Sequence, residues 1–215
     1  MSEFLPLFPL SLVVYPGEVL KLHIFEPRYQ QLIKDCDEDG IWFGIPPVIE
    51  QKMANVATMV ELQSIDQRFP SGEANVTVLG KSRFRIEEFY PLSPNKLYAG
   101  GKGIEVEEEG SIDPDRLQNL RQEIIDLIFQ LHDALGINKQ VVSSPDNLTA
   151  FKVAHDVGFS LAEEVELLIM TNELARLNYL YDHLQKIIPI VRETERLKAR
   201  AQLNGHYKNL VPPHF

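Results

Sequence analysis

The chain has 215 residues, of which 44% are hydrophobic and 24% are charged, and its formal net charge is −10. A chain of this length can bury enough apolar surface for one large or two small cores, so the fold needs no disulfide or metal to hold it. The acidic balance argues against a protein that binds nucleic acid mainly through phosphate contacts, because such binding depends on clustered Lys and Arg.

The N-terminal segment, residues 5–29, predicts short strands joined by sharp corners. Four prolines interrupt its large apolar residues, and each proline lacks a hydrogen-bond donor and pushes the preceding residue toward extended geometry. Apolar and polar residues alternate over 20–24, which indicates a strand with one buried face. Pro27 can then open a helix, because the apolar residues behind it stand at helical spacing.

Several short pieces of the first half occur in an order that is typical of one known family. They are LPLFPL, VVYPGE, LHIFEPRY, FGI at Phe43–Ile45, VATMVEL at 56–62 and GKSRFRI at 80–86. In these pieces the chain resembles the N-terminal domain of Lon protease in its stand-alone form. The resemblance implies an α+β fold, in which a PUA-like β-rich pseudo-barrel is followed by an α-helical bundle. It also implies a domain that holds unfolded or tagged protein segments.

The remaining strands are predicted from the same kinds of pattern. A short apolar strand covers 42–45 and a longer one covers 56–65. The Gly-containing connection at 70–73 lies between two extended runs, so it predicts a hairpin. Two further strands follow, one around Phe84 and one around Ile104.

The pattern changes at the acidic, Gly-containing segment 107–111, where we place an internal boundary. Residues 1–110 are predicted to form the β-rich PUA-like subdomain. Residues 111–215 are predicted to form the helical bundle, with a long C-terminal helix and the short extended tail HYKNLVPPHF. Pro189 is expected to interrupt that long helix, because its ring displaces a carbonyl and removes a donor.

Local signals mark the other helix ends. Asp113 fits the N-cap of a first helix, which Gly136 ends. Ser144 opens a second helix, and Ser160 with Glu163 has the spacing of a capping box before a third.

Motifs for catalysis or cofactor binding are not found in the sequence. The glycine-rich run at 100–103 lacks the upstream glycine and the Ser or Thr of a phosphate loop. The histidines form no HExxH pattern, so we expect no metal and no other cofactor. Ser82 lacks the spacing of a nucleophile elbow, and the acidic neighbours of Cys36 disfavour a thiolate. The ATPase and peptidase modules of full-length Lon find no counterpart in these motifs, so the resemblance implies recognition without catalysis.

Seven residues are candidate contacts for a protein partner: His23, Phe25, Glu26, Arg28, Tyr29, Arg83 and Arg85. Each has a simpler structural alternative. Glu26 and Arg28 can form a salt bridge that fixes the turn between them, and the aromatic residues can belong to the core. The two arginines of the later strand are expected to share one face, where they hold a carboxylate or a phosphate, or pair with nearby acids.

Three functions are compatible with these features. We favour a non-catalytic peptide-binding or adaptor domain in a proteolysis-related pathway, which captures unfolded or extended protein segments at an exposed sheet edge. A separate protease or chaperone is then a possible partner. The alternative is a PUA-like RNA-binding protein, but the composition shows no concentrated basic surface, so we expect no nucleic-acid partner. A hydrolase would need a nucleophile and a base that no motif supplies.

The sequence also predicts where the protein resides. The apolar N-terminus lacks the basic residues of an export signal, and no later run of about 20 apolar residues predicts a membrane helix. The single cysteine, Cys36, cannot form an intramolecular disulfide and fits a reducing compartment. We therefore expect a cytoplasmic protein without a membrane anchor.

Overall fold

The computed structural model describes residues 3–110, 114–138 and 144–206, and it divides into two compact units. The first unit combines the chain up to Gly110 with Gly158–Glu173. The second unit combines the stretch that ends at Val157 with the stretch that begins at Leu174.

The described elements are, in chain order, β1 (Glu3–Leu7), β2 (Val19–Ile24), α1 (Pro27–Asp39), β3 (Phe43–Ile45), β4 (Val48–Ile49), β5 (Lys52–Met53), β6 (Val56–Arg68), β7 (Ala74–Tyr90), β8 (Ala99–Glu105), α2 (Pro114–Leu135), α3 (Ala150–Val153), α4 (Leu161–Ile169) and α5 (Glu173–His206).

Five strands of the first unit close into a barrel. The sheet order is β2-β7-β6-β3-β1-β8, and β8 pairs with both β1 and β7, which closes the ring. The β1–β3 pair is parallel, whereas the other pairs of this sheet are antiparallel. The outer halves of β6 and β7 extend beyond the barrel, where β2 adds to β7 as an edge strand. The predicted α+β class with a β-rich pseudo-barrel is confirmed.

β7 is one long strand where the sequence pattern predicts two. It runs for 17 residues and bends where its pairing with β6 shifts register, between Met59 and Val60. Gly80 lies at this shift, and a side chain there would collide with the backbone oxygen of Tyr15. The glycine therefore allows the N-terminal segment to cross close to the strand.

The buried side chains of the first unit form two clusters. The larger one joins the inner face of α1 to the sheet and contains Phe8, Val14, Ile24, Tyr29, Leu32, Ile33, Cys36, Phe43, Ile45, Val60, Ala74, Val76, Val78 and Tyr98. The smaller one comes from β1, β6 and β7 and contains Leu5, Leu7, Ala57, Met59, Phe84 and Ile86. The helical spacing that follows Pro27 and the alternation in β2 therefore face the core as predicted.

Residues 158–173 belong to the β-rich unit, although the sequence pattern assigns them to the helical subdomain. Two long-range contacts explain this correction. The Tyr15 hydroxyl donates to the carbonyl of Glu164 over 3.2 Å, and the Arg83 guanidinium donates to the carbonyl of Leu168 over 2.9 Å. The capping box of Ser160 and Glu163 is confirmed at the start of α4.

The second unit is helical. α2 buries a stripe of apolar side chains, namely Ile124, Leu127, Ile128 and Leu131, and it ends at Leu135. Gly136 follows with φ +66°, a left-handed conformation that favours glycine, so the predicted helix end is confirmed. The predicted N-cap, Asp113, lies outside the described residues.

The predicted second helix is divided into shorter pieces. A 3-10 turn covers Pro145–Asn147, α3 follows, and a second 3-10 turn covers Ala154–Asp156. Ser144 caps the first turn by accepting a hydrogen bond from the amide of Asp146. Thr149 then begins α3 as a separate helix, because its side chain caps it by accepting a hydrogen bond from the amide of Lys152.

α5 continues through Pro189 without a break in the helix, contrary to the expected interruption. Pro189 and Gln185, whose carbonyl loses its donor, both lie on the exposed side of the helix. Water can therefore solvate the freed carbonyl. The predicted tail beyond α5 lies outside the described residues, and no helix in the described part of the chain is long and apolar enough to cross a membrane.

Candidate functional site

Five of the predicted contact residues lie around the corner between β2 and α1. Phe25 is 61% exposed, and the centroid of the His23 ring lies 6.1 Å from that of Phe25 and 6.0 Å from that of Phe69. The His23 ring is also 3.5 Å from the Glu73 carboxylate. These side chains form an exposed aromatic surface on the edge strand.

Glu26 and Arg28 form a salt bridge across the first residue of α1. The Nη2 and Nε atoms of Arg28 lie 2.7 Å and 2.8 Å from Glu26 Oε2. Tyr29 is buried and stacks on Phe8, with ring centroids 3.8 Å apart, and its burial raises the pKa of the hydroxyl. The ion pair therefore fixes the start of the helix, and Tyr29 belongs to the core.

The two candidate arginines of β7 have different surroundings. Arg83 is 3% exposed, and its guanidinium donates to the carbonyls of Leu168 and Met170 at the end of α4 and to the carboxylate of Glu108. Arg85 is exposed, and no carboxylate of the described residues lies within ion-pair distance of it. The structure does not bring the two guanidinium groups onto one exposed surface, because α4 binds the first of them.

A cleft of about 1300 Å³ opens beside Arg85 in the first unit. Its walls come from β1, β6, β7, β8, the segment 40–42, the loop 93–98 and the acidic segment 105–109. Three large apolar side chains in these walls, Phe4, Trp42 and Ile104, are each 41% exposed. The cleft therefore offers apolar surface that the fold itself does not cover.

Four glutamates, at positions 105 and 107 to 109, line one wall of the cleft. Arg83 neutralises Glu108 at 2.7 Å, and Glu109 accepts a hydrogen bond from the Thr171 hydroxyl over 3.1 Å. Glu105 and Glu107 are exposed and have no ion pair in the part of the chain that the structure describes. This acidic run therefore forms one side of a concave surface.

Another wall, the loop 93–98, is tied to α1. The Asp35 carboxylate accepts hydrogen bonds from Lys96 Nζ over 2.8 Å and from the Tyr98 hydroxyl over 2.7 Å. The amide of Leu97 donates to Gln31 Oε1 over 2.7 Å. Burial alone would raise the pKa of Asp35, but these donors and the charge of Lys96 hold it below its usual range. The wall is thus held in place by the protein itself.

The lining of the cleft combines apolar and charged side chains. Its lining includes neither histidine nor cysteine, and no group of metal-ligating side chains occurs among the described residues. Burial raises the pKa of the Cys36 thiol to about 12, so this side chain remains a protonated part of the core. What the cleft presents is apolar surface, carboxylates and the exposed guanidinium of Arg85.

The sequence patterns identified Arg85 but missed the rest of the cleft. Phe4 and Trp42 lie in segments whose pattern predicts buried strands. No signal in the neighbouring residues indicates that these two side chains border a cleft. One usable signal was the alternation of Ile104 and Val106 with glutamates, which predicts an acidic face on the last strand.

Comparison with known proteins places these observations in a family. Residues 4–186 match the model of the ATP-dependent protease La (LON) substrate-binding domain. The fold is similar to that of a Lon N-terminal domain protein from Xanthomonas campestris, with 24% identity and a TM-score of 0.61 over 83% of this chain and 96% of that one. It is also similar to the N-terminal domain of the Mycobacterium avium complex Lon protease, with 18% identity and a TM-score of 0.64 over 85% of this chain and 98% of that one. The chain therefore belongs to the family of LON substrate-binding domains.

Proposed function

We propose that this domain binds extended or unfolded segments of other proteins and leaves them chemically unchanged. Membership of a substrate-binding family supports a role in substrate recognition. The observation that carries the finer proposal is the open sheet edge at β2, next to the aromatic surface of His23 and Phe25.

β2 is suited to receive an additional strand. It occupies one end of the sheet order, and its residue Val19 is 59% exposed. An extended segment that pairs with such an edge gains backbone hydrogen bonds whatever its sequence, and exposed side chains beside the edge supply selectivity. We assign Phe25 and His23 to these contacts, with the Glu26–Arg28 pair at the end of the strand.

The other predicted contacts take different roles in this proposal. Tyr29 and Arg83 support the structure, because both are buried and held by neighbours. Arg85 belongs to the cleft. A separate protease or chaperone that receives the bound segment, and a cytoplasmic location, remain predictions.

RNA binding has less support. Arg83 donates to carbonyl groups inside the first unit, and the surface beside Arg85 carries several carboxylates. A phosphate backbone would meet repulsion there. Structured RNA that fails to bind at low salt would remove this alternative.

The proposal is tested with a permanently unfolded, carboxamidomethylated polypeptide that carries a fluorescent label. We expect a saturable rise in anisotropy and an unchanged intact mass of the polypeptide after incubation. Phe25→Ala should weaken binding severalfold, whereas Phe129→Ala, at a residue 52% exposed on α2, should leave it unchanged. An absence of binding while circular dichroism shows an intact fold would contradict the proposal.

A further inference from the structure

We infer that the cleft is a separate specificity subsite, which accepts a large apolar side chain flanked by Lys or Arg in the bound polypeptide. This inference rests on the proposed function and adds the chemical class of the segment that is held. The site is distinct from the β2 edge, since the residues that line the cleft include none of β2.

The apolar part of this preference follows from the exposed side chains in the walls. Phe4, Trp42 and Ile104 each leave about two fifths of their surface uncovered, although the cleft is concave. Met59 and Phe84, which belong to the smaller core cluster, also line it. A large apolar side chain that enters would remove several such surfaces from water at once.

The cleft needs little reorganisation to receive a ligand. One wall is tied to α1 through Asp35, and the other is fixed where Arg83 binds Glu108 and the end of α4. The backbone of Glu109 adds a hydrogen bond to the carbonyl of Thr171 over 2.7 Å. Because the walls are held before binding, less conformational entropy is lost when the segment enters.

The charge of the cleft lining favours a bound segment in which Lys or Arg stands next to the apolar residue. Among the charged residues that line the cleft, Lys96 pairs with Asp35, and Glu108 pairs with Arg83. The remaining charges in the lining are then the carboxylates of Glu105, Glu107 and Glu109 and the single guanidinium of Arg85. A positively charged segment complements this surface, whereas an acidic segment meets net repulsion.

The protein contains a built-in reporter for this site. Its one tryptophan is Trp42, which lines the cleft. A segment that covers the indole ring should shift its emission to shorter wavelength. Intrinsic fluorescence therefore separates occupation of the cleft from binding elsewhere on the chain.

The experiment compares short labelled peptides without tryptophan. One has a Leu-Phe core flanked by Lys and Arg, a second has the same core flanked by Glu, and a third keeps the basic flanks with Ala in the core. At low salt we expect the first peptide to bind about tenfold more tightly than the second, because several partly exposed charge pairs together contribute a difference of that size. The first peptide should also shift the Trp42 emission. The difference should shrink as salt is added, and the third peptide should bind weakly.

Two triple variants isolate the carboxylates. E105Q/E107Q/E109Q should abolish the preference for the basic peptide. E50Q/E87Q/E123Q removes the same total charge from exposed positions outside the cleft and should retain the preference. Equal effects of the two variants would overturn the inference, because the preference would then come from net charge alone.

Other outcomes distinguish failure of this inference from failure of the proposed function. If the peptides raise anisotropy but leave the Trp42 emission unchanged, polypeptide binding stands and the cleft is not its site. If the acidic peptide binds more tightly, Arg85 dominates and the inferred preference is wrong. If neither the peptides nor the unfolded polypeptide binds, the proposed function itself fails.

Discussion

Replacing Arg83 by methionine should destabilise the first unit far more than the same change at Arg85. The two residues lie on the same strand and carry the same charge, but Arg83 is 3% exposed while Arg85 is exposed. Methionine keeps an unbranched, flexible side chain, although a shorter one, and removes the hydrogen-bond donors. The comparison therefore measures what the buried guanidinium contributes.

The magnitude follows from the partners of that guanidinium. It donates to the carbonyls of Leu168 and Met170, where α4 ends, and it pairs with Glu108, whose side chain is 54% exposed. Each buried carbonyl that loses its donor costs about 1–3 kcal/mol, while an ion pair with an exposed partner adds less than about 1 kcal/mol. Together these contributions predict a loss of about 2–7 kcal/mol in unfolding free energy for Arg83→Met, against less than about 0.5 kcal/mol for Arg85→Met.

Urea unfolding followed by tryptophan fluorescence is the suitable assay. Trp42 lies in the first unit, so its emission reports the unit that contains both arginines. The unfolding midpoint of Arg83→Lys should lie between those of wild type and Arg83→Met. A single ammonium group cannot reproduce the several hydrogen-bond donors of the guanidinium. If Arg83→Met lowers the unfolding midpoint no more than Arg85→Met does, the structural role assigned to Arg83 is wrong.

Further predictions concern the support and the core of the first unit. Asp35→Asn should lower the free energy of unfolding by about 1–3 kcal/mol at pH 7, because Lys96 and Tyr98 donate hydrogen bonds to the charged carboxylate there. Since the pKa of Asp35 is lowered on folding, its stabilisation is complete above the unfolded pKa of about 3.9 and is lost as the pH falls through the folded pKa. The urea midpoints of wild type and Asp35→Asn should therefore approach each other as the pH falls below this unfolded value, and a constant difference would refute this reasoning. Gly103→Ala should lower the melting temperature sharply or prevent folding, because the added carbon collides with the backbone of β7; an unchanged melting curve would contradict this close approach of the two strands. Cys36, whose pKa burial raises to about 12, should resist a thiol reagent at pH 8 until urea unfolds the protein, and rapid labelling of the native chain would show that it is accessible.

Local signals in the sequence were sufficient for many elements. The alternation in β2, the capping box of Ser160 and Glu163, and the helix end at Gly136 each depend on neighbouring residues, and each is confirmed. These features are determined by backbone geometry within a few residues, so a pattern in the chain is enough to predict them.

Features that depend on distant segments were not predictable in this way. The position of Arg83 depends on carbonyl groups more than 80 residues later in the chain. The continuity of α5 at Pro189 depends on which side of the helix is exposed. The cleft exists because closure of the barrel brings β1, β7 and β8 together with the acidic segment after them, and periodicity cannot show such a closure.

The most direct test of polypeptide binding without catalysis is hydrogen exchange, measured by mass spectrometry with and without the carboxamidomethylated polypeptide. We expect slower exchange in β2, β1 and the segment from β8 to Glu109, together with an unchanged mass of the polypeptide. Protection confined to the second unit, no protection at all, or cleavage of the polypeptide would contradict it.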